Sequence, residues 1–264
     1  MSMSGDLGFW VWLLSRDKPR GIRQRLFGIC VCSWVPPIIG AALSAMTGAA
    51  ALLSSDLVAA TGPANMCCGI YSCIGGSFTF FARRERVLVI LTDMRAVAVE
   101  IEMKIDSHHG VQMLLASLHR IYHRLVSVQC SIGVLMVTGV VLPVLMTGRT
   151  FQPVWPPPPN DTVDLIIGSL QAIIAITGCM GFYAAMALIT CLQTSLIGQY
   201  GALSAWLQAA QTEEDLRRAI ALHQKVMRLA RQVEFLFYDS LIHFMVCCFS
   251  SPLISALQAS GYKL

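Results

Sequence analysis

The sequence predicts an all-α integral membrane protein: a helical bundle with about five transmembrane helices and long cytoplasmic helix extensions. Three observations carry that prediction. The chain has 264 residues, of which 55% are hydrophobic and only 13% charged, about half the charged share of a soluble domain. Five uncharged runs are long and apolar enough to cross a hydrocarbon core, which takes about 20 residues of helix. Seventeen of the nineteen Lys and Arg residues fall in three segments that alternate with those runs, and cationic loops stay on the cytoplasmic side.

Residues 1–25 read as a cytoplasmic N-terminus. The apolar stretch Phe9–Leu14 is too short for a signal peptide, and Arg16, Lys18, Arg20, Arg23 and Arg25 follow it. Trp10 and Trp12 are expected to form an interfacial patch ahead of the first span. The transmembrane domain then occupies residues 26–264, with spans near Leu26–Leu53, Leu57–Ala82, Leu125–Thr147, Leu165–Thr190 and Ser240–Ala259. Pro36-Pro37, Gly75-Gly76 and Pro252 mark kinks or close packing within them. The charge pattern puts the Ser54–Asp56 turn and the Gly148–Asp164 loop outside. That loop contains Pro153, Trp155, the Pro156–Pro159 run and the sequon Asn160-Asp161-Thr162, which makes Asn160 a candidate glycosylation site on the same side.

Between the second and third spans, Val87, Ile90, Met94, Val97, Ile101 and Ile105 recur at spacings of three and four, as on one face of a helix. Asp106–Gly110 interrupts the pattern, and Leu114, Leu118, Ile121 and Leu125 resume it. From Leu165 to Thr212 there is no charge, so the fourth span is expected to leave the bilayer and continue as one helix. Thr212-Glu213-Glu214-Asp215 has the form of a capping box. Leu216, Ile220, His223, Met227 and Ala230 supply the less polar stripe of the helix it opens.

Nine of the ten cysteines lie inside the proposed spans, with Cys191 at a span's cytoplasmic end, which fits thiols packed between helices better than a disulfide framework. The positive charge belongs to cytoplasmic faces, so a nucleic-acid partner has no support. No Walker-type loop, His-Glu-x-x-His pair or Gly-x-Ser-x-Gly elbow is present, so neither a catalytic residue nor a cofactor is expected. His108-His109 and the pair His119 and His123 are read as solvated rather than metal-binding, since no Cys or carboxylate is spaced to complete a site. His243, a turn inside the fifth span, is read as an interhelical hydrogen-bond donor. The absence of charge at membrane depth argues against an ion-coupled transporter and favours an apolar ligand. Met66, Tyr71, Val140, Met146, Ile173 and Ile174, in the outer halves of three spans, are candidates to line a pocket.

Leu222-His223-Gln224, followed by Val233-Glu234, Phe237, Leu241, Phe244 and Ser250-Ser251, resembles the insect odorant receptor family, in which a cytoplasmic helix with a His-Gln pair runs into the fifth span. Pro153, Trp155, Pro156 and Asn160-Asp161 look like that family's second extracellular loop, and Gln171, Gln199-Tyr200 and Leu203 are similar to its fourth helix and extension. The likeness covers most of the chain from Leu125 onward; earlier residues match in hydropathy and topology. It implies a plasma-membrane subunit of an odorant-gated cation channel that pairs with a common coreceptor in a hetero-tetramer. It also implies an outer-half pocket for small hydrophobic volatiles, where Phe151 and Trp155 would cover the entrance and Tyr71 would orient the ligand. The family has seven helices, whereas this chain reaches Leu264 just past the fifth span. It is therefore expected to be a truncated form without the sixth helix and the pore-lining seventh. Gustatory receptors share the topology and stay open as an alternative, as do a transporter and a five-span structural protein.

Overall fold

A pair of prolines sets the first feature of the fold. In the computed structural model, which describes residues 3–15, 22–105 and 109–261, the run expected as one span from Leu26 to Leu53 is two helices, α2 (Ile22–Cys30) and α3 (Val35–Leu53). Pro36 and Pro37 lack the N–H groups that would bond back to Cys32 and Ser33, so the helix stops at Val31–Trp34 and restarts with proline in its first turn. Before this pair lies α1 (Met3–Leu14); after it come α4 (Leu57–Ala82), α5 (Arg84–Ile105), α6 (His109–Thr147), α7 (Asp161–Ala209) and α8 (Glu213–Gly261). Among the described residues there is no strand, as the sequence predicts. His108, and the side chains of His243 and Pro252, lie outside what is described.

The uncharged stretch from Leu165 to Thr212 falls almost entirely within one continuous 49-residue helix, α7. Gln24–Leu53, Gly110–Thr147 and Asp161–Ala209 are each long and apolar enough to cross a membrane. The other two expected spans fall within α4 and the C-terminal part of α8.

The chain divides into two compact units. The first comprises residues 1–24, 83–129 and 186–238, ranges that hold sixteen of the nineteen Lys and Arg residues. Its core contains the α5 stripe that the periodicity marks out: Val87, Ile90, Met94, Val97 and Ile101 are buried, joined by Leu91 and Ala98. Burying each large side chain contributes about 1.5–3 kcal/mol. Helix α1 lies antiparallel on α5. Ser4 donates to Glu102 through N–H (3.1 Å) and Oγ (2.6 Å) at one end, and Arg84 donates to the carbonyls of Leu14 (2.8 Å) and Ser15 (3.2 Å) at the other. A cation at those terminal carbonyls also suits the helix dipole.

Three expectations for this unit are corrected. Trp10 is not interfacial: it is buried, and its Nε1 donates to the Tyr122 hydroxyl at 3.1 Å. On α6 the inward face is Val111, Leu115, Leu118 and Tyr122, while Leu114, Ile121 and Leu125 are exposed. That rotation lets Tyr122 and His119 meet α1. On α8 the buried stripe is Ala219, Leu222, Val226, Leu229, Val233 and Leu236; Leu216, Ile220, His223 and Met227 face outward. The expected stripe contains a histidine, whereas the one that packs is uniformly apolar. The α8 start is as expected in place but differs in detail. The Asp215 N–H donates to Thr212 Oγ1 (3.1 Å), and that hydroxyl donates to the Asp215 carboxylate (2.6 Å) instead of leaving it to bond back to the backbone.

The second unit comprises residues 25–82, 130–185 and 239–264. Its centre is the α3–α4 hairpin, closed by the 54–56 turn, in which Ser54 Oγ donates to the Asp56 carbonyl (3.0 Å). Small residues let the two helices approach: Gly40 faces Ile70 and Ile74, Gly48 faces Cys67 Sγ, and Ser44 Oγ lies 3.2 Å from that sulfur. Leu43, Ile70 and Ile174 form the buried cluster, flanked by Ile39, Met66, Ile74, Ile167 and Leu170.

Candidate functional site

Within the second unit, the connection from α6 to α7 is fixed residue by residue. Gly148 ends α6 with φ of +66°, a conformation that suits glycine, and its N–H bonds to the Val144 carbonyl (2.9 Å). Asn160 begins α7 as its cap: its Oδ1 accepts from the Val163 N–H at 2.9 Å. Between them, Gln171 holds the loop from below. It is fully buried, its Oε1 accepts from the N–H groups of Phe151 (2.8 Å) and Gln152 (3.3 Å), and its Nε2 donates to the Gln152 carbonyl (3.1 Å). Asp164 Oδ1 accepts from the Thr150 N–H (3.2 Å).

Glycine makes these contacts possible. A Cβ on Gly168 would stand 2.7 Å from the Arg149 carbonyl oxygen, and one on Gly62 would stand 2.5 Å from Gln152 Oε1. Further along, the Trp155 N–H donates to the Met46 carbonyl on α3 (3.1 Å), and the adjacent Val154 is buried. The loop is thus bonded to α3 and α7 and packed against α4.

The same unit contains a narrow apolar crevice lined by Pro36, Pro37, Ile70, Ile74, Ile174 and Thr177, with room for about one water molecule. The pocket candidates distribute unevenly around this architecture. Ile174 is buried in the Leu43–Ile70 cluster, with Met66 packed against it. Val140 and Phe151 are half-buried. Tyr71, Ile173, Trp155 and Met146 are exposed, Met146 at 77%. The structure therefore brings Met66 and Ile174 together and leaves those four at the unit's surface. Sequence reasoning marked Gln171 as a family-like residue but missed its part in the loop; the signal is that Gln171 is the one glutamine in the uncharged 165–190 run.

In the first unit, His123 is exposed as expected, but the reading of the pair as lacking a carboxylate partner, and of His119 as solvated, is corrected. The carboxylate missing from the local sequence is Asp6, 113 residues away from His119. His119 Nδ1 lies 2.6 Å from Asp6 Oδ2, and His123 Nε2 lies 3.3 Å from Asp6 Oδ1. Tyr122 and Cys191 line the crevice beside them and fall outside the five expected spans. Burial pushes the Tyr122 phenol and the Cys191 thiol above their ordinary ranges, which keeps both neutral.

No protein-family model and no curated protein sequence matches this chain. Its structure is similar to that of the insect olfactory receptor OR5 from Machilis hrabei, with a TM-score of 0.67 over 93% of this chain and 68% of that one, at 12% sequence identity. At that identity the likeness establishes the fold: the chain has the helical architecture of an insect olfactory receptor.

Proposed function

We propose that the chain is an odorant receptor subunit that binds small hydrophobic volatiles and, paired with a coreceptor, gates a cation channel. The observation that carries the proposal is the fold likeness to an insect olfactory receptor across 93% of the chain. The apolar Leu43–Ile70–Ile174 cluster, with Met66 at its side, supports an apolar ligand, and the pinned loop above α7 supports a covered entrance. The N-terminus is cytoplasmic in this reading, and Asn160 lies outside.

Since the crevice between α3, α4 and α7 holds about one water, well below the roughly 300 Å³ of a typical ligand site, ligand entry must open it. A volatile that binds the opened arrangement better shifts the population toward it, and that differential affinity is the driving force for gating. Phe151 and Trp155 would move with the loop. The proposal is tested by expressing the chain with the coreceptor and recording cation currents against a broad panel of volatiles and water-soluble tastants. Currents evoked by volatiles alone support it. Responses confined to tastants turn the assignment to a gustatory receptor, and silence to both panels from surface-expressed chain removes the channel role.

A further inference from the structure

His119 and His123 are four residues apart on α6, so their rings sit one above the other on a single face, with centroids 4.3 Å apart. Their nitrogens His119 Nδ1 and His123 Nε2 converge on the two oxygens of Asp6, and one ligand atom from each of the three residues lies within 4.8 Å of the others. We propose that Asp6, His119 and His123 form a binding site for a zinc-class divalent cation, which staples the N-terminal helix α1 to α6. The proposal is independent of the odorant reading.

The donor set selects the ion. Two imidazoles and a carboxylate suit borderline metals such as zinc, whereas magnesium and calcium prefer oxygen ligands throughout. Zinc bonds of about 2.0–2.2 Å in a tetrahedron place ligand atoms roughly 3.3 Å apart. His123 Nε2 lies 3.3 Å from Asp6 Oδ1, the spacing such a site takes with Oδ1 as the liganding oxygen. His119 Nδ1 is 2.6 Å from the other oxygen, Oδ2, so the carboxylate and the imidazole must turn to bring one oxygen between both nitrogens; the three ligand atoms already lie within 4.8 Å of one another. His123 is 50% exposed while Asp6 is 13% exposed, so the ion has a way in and water can fill the fourth position.

Asp6 is held in place without the metal, which lowers the cost of assembling the site. Leu7, Trp10 and Leu14 of α1 are buried, Trp10, one turn beyond Asp6, bonds to Tyr122, the residue before His123, and Ser4 bonds to Glu102. A bound ion would replace a hydrogen-bonded contact between α1 and α6 with coordinate bonds and stabilise the docked helix in proportion to its occupancy.

The test uses the full chain in detergent, stripped with a chelator and titrated with cobalt(II) as a spectroscopic stand-in for zinc. The expected result is one ion per chain, visible absorption of a tetrahedral nitrogen–oxygen site, and displacement by zinc. His123→Ala and Asp6→Asn should each weaken binding at least about tenfold. His123→Ala removes a half-exposed side chain, so its folding can be checked by unchanged helicity. Zinc should raise the melting temperature of the parent chain and not that of His123→Ala. Near-ultraviolet thiolate-to-cobalt absorption would put the ion on cysteines and overturn the proposal. So would binding that is unchanged in both variants, or no binding at all.

Discussion

Gln171 and Gln199 are both fully buried amides on α7, yet they are bonded very differently. Gln171 uses both ends of its amide on the Phe151–Gln152 backbone. Gln199 donates Nε2 to the Met94 carbonyl at 3.1 Å, while its Oε1 has no partner among the described residues. The cost of removing a buried amide depends on what it leaves unsatisfied. Gln171→Leu strands two N–H groups and should cost about 1–3 kcal/mol, whereas Gln199→Leu also removes an unpaired acceptor and should lie within about 1 kcal/mol of the parent. Thermal unfolding in detergent measures both. Limited proteolysis adds a local reading, because Gln171→Leu should expose the 148–160 loop to cleavage and Gln199→Leu should not. Equal losses would mean that burial of the amide, and not its bonding to the loop, sets the energy. The sequence shows these two glutamines among five in the uncharged 165–212 run but not their partners, since hydrogen bonds across 19 and 105 residues leave no local trace.

At the scale of elements, legibility followed packing on one side or on two. The α5 stripe was legible because that helix buries one face against neighbours, so its apolar period survives in the sequence. Helices α6 and α8 have apolar residues on more than one face, and spacing alone could not say which turns inward. Helix α1 was missed altogether: Met3, Leu7, Trp10 and Leu14 have helical spacing, but Gly5 and Gly8 dilute the signal. Gly8 earns its place tertiarily, since a Cβ there would stand 3.3 Å from Arg95 Nε. The docking of α1 rests chiefly on Trp10, buried and bonded to Tyr122. Trp10→Ala should cost about 3–5 kcal/mol of docking, and Trp10→Phe, which keeps most of the ring and loses the donor, about 1 kcal/mol. Hydrogen exchange of residues 4–14 reads this directly. Protection that survives Trp10→Ala would mean that the burial of Leu7 and Leu14 together with the Ser4 and Arg84 bonds holds the helix without Trp10.

For the whole molecule, the decisive quantity is where apolar surface is left uncovered. In α6 only 6% of the most apolar window is buried, against 44% in α7, and Ile132, Leu135, Met136, Leu142 and Leu145 are exposed. Water tolerates few such patches, so lipid is the natural solvent for residues 130–147 of this helix. The charge pattern in the sequence adds a direction, with α6 leading from a basic segment to the loop that holds Asn160. One experiment in microsomal membranes tests both the lipid contact of α6 and the side of the loop. Asn160 should carry a glycan removable by an endoglycosidase. Asn160→Asp should lose it while keeping the α7 cap, since aspartate caps as well as asparagine. Replacing Leu135 and Met136 together by lysine puts two cations at the centre of the proposed span, at a cost of about 2.5–3.5 kcal/mol each. Both side chains are exposed, so no core packing is lost. If α6 crosses the membrane, that pair should keep the loop from being translocated and abolish the glycan, whereas Ile121→Lys, on the same helix within the basic segment, should leave it intact. A glycan retained with both lysines would mean that α6 does not deliver the loop across the bilayer. Its uncovered apolar face would then have to be explained by protein contacts instead of lipid.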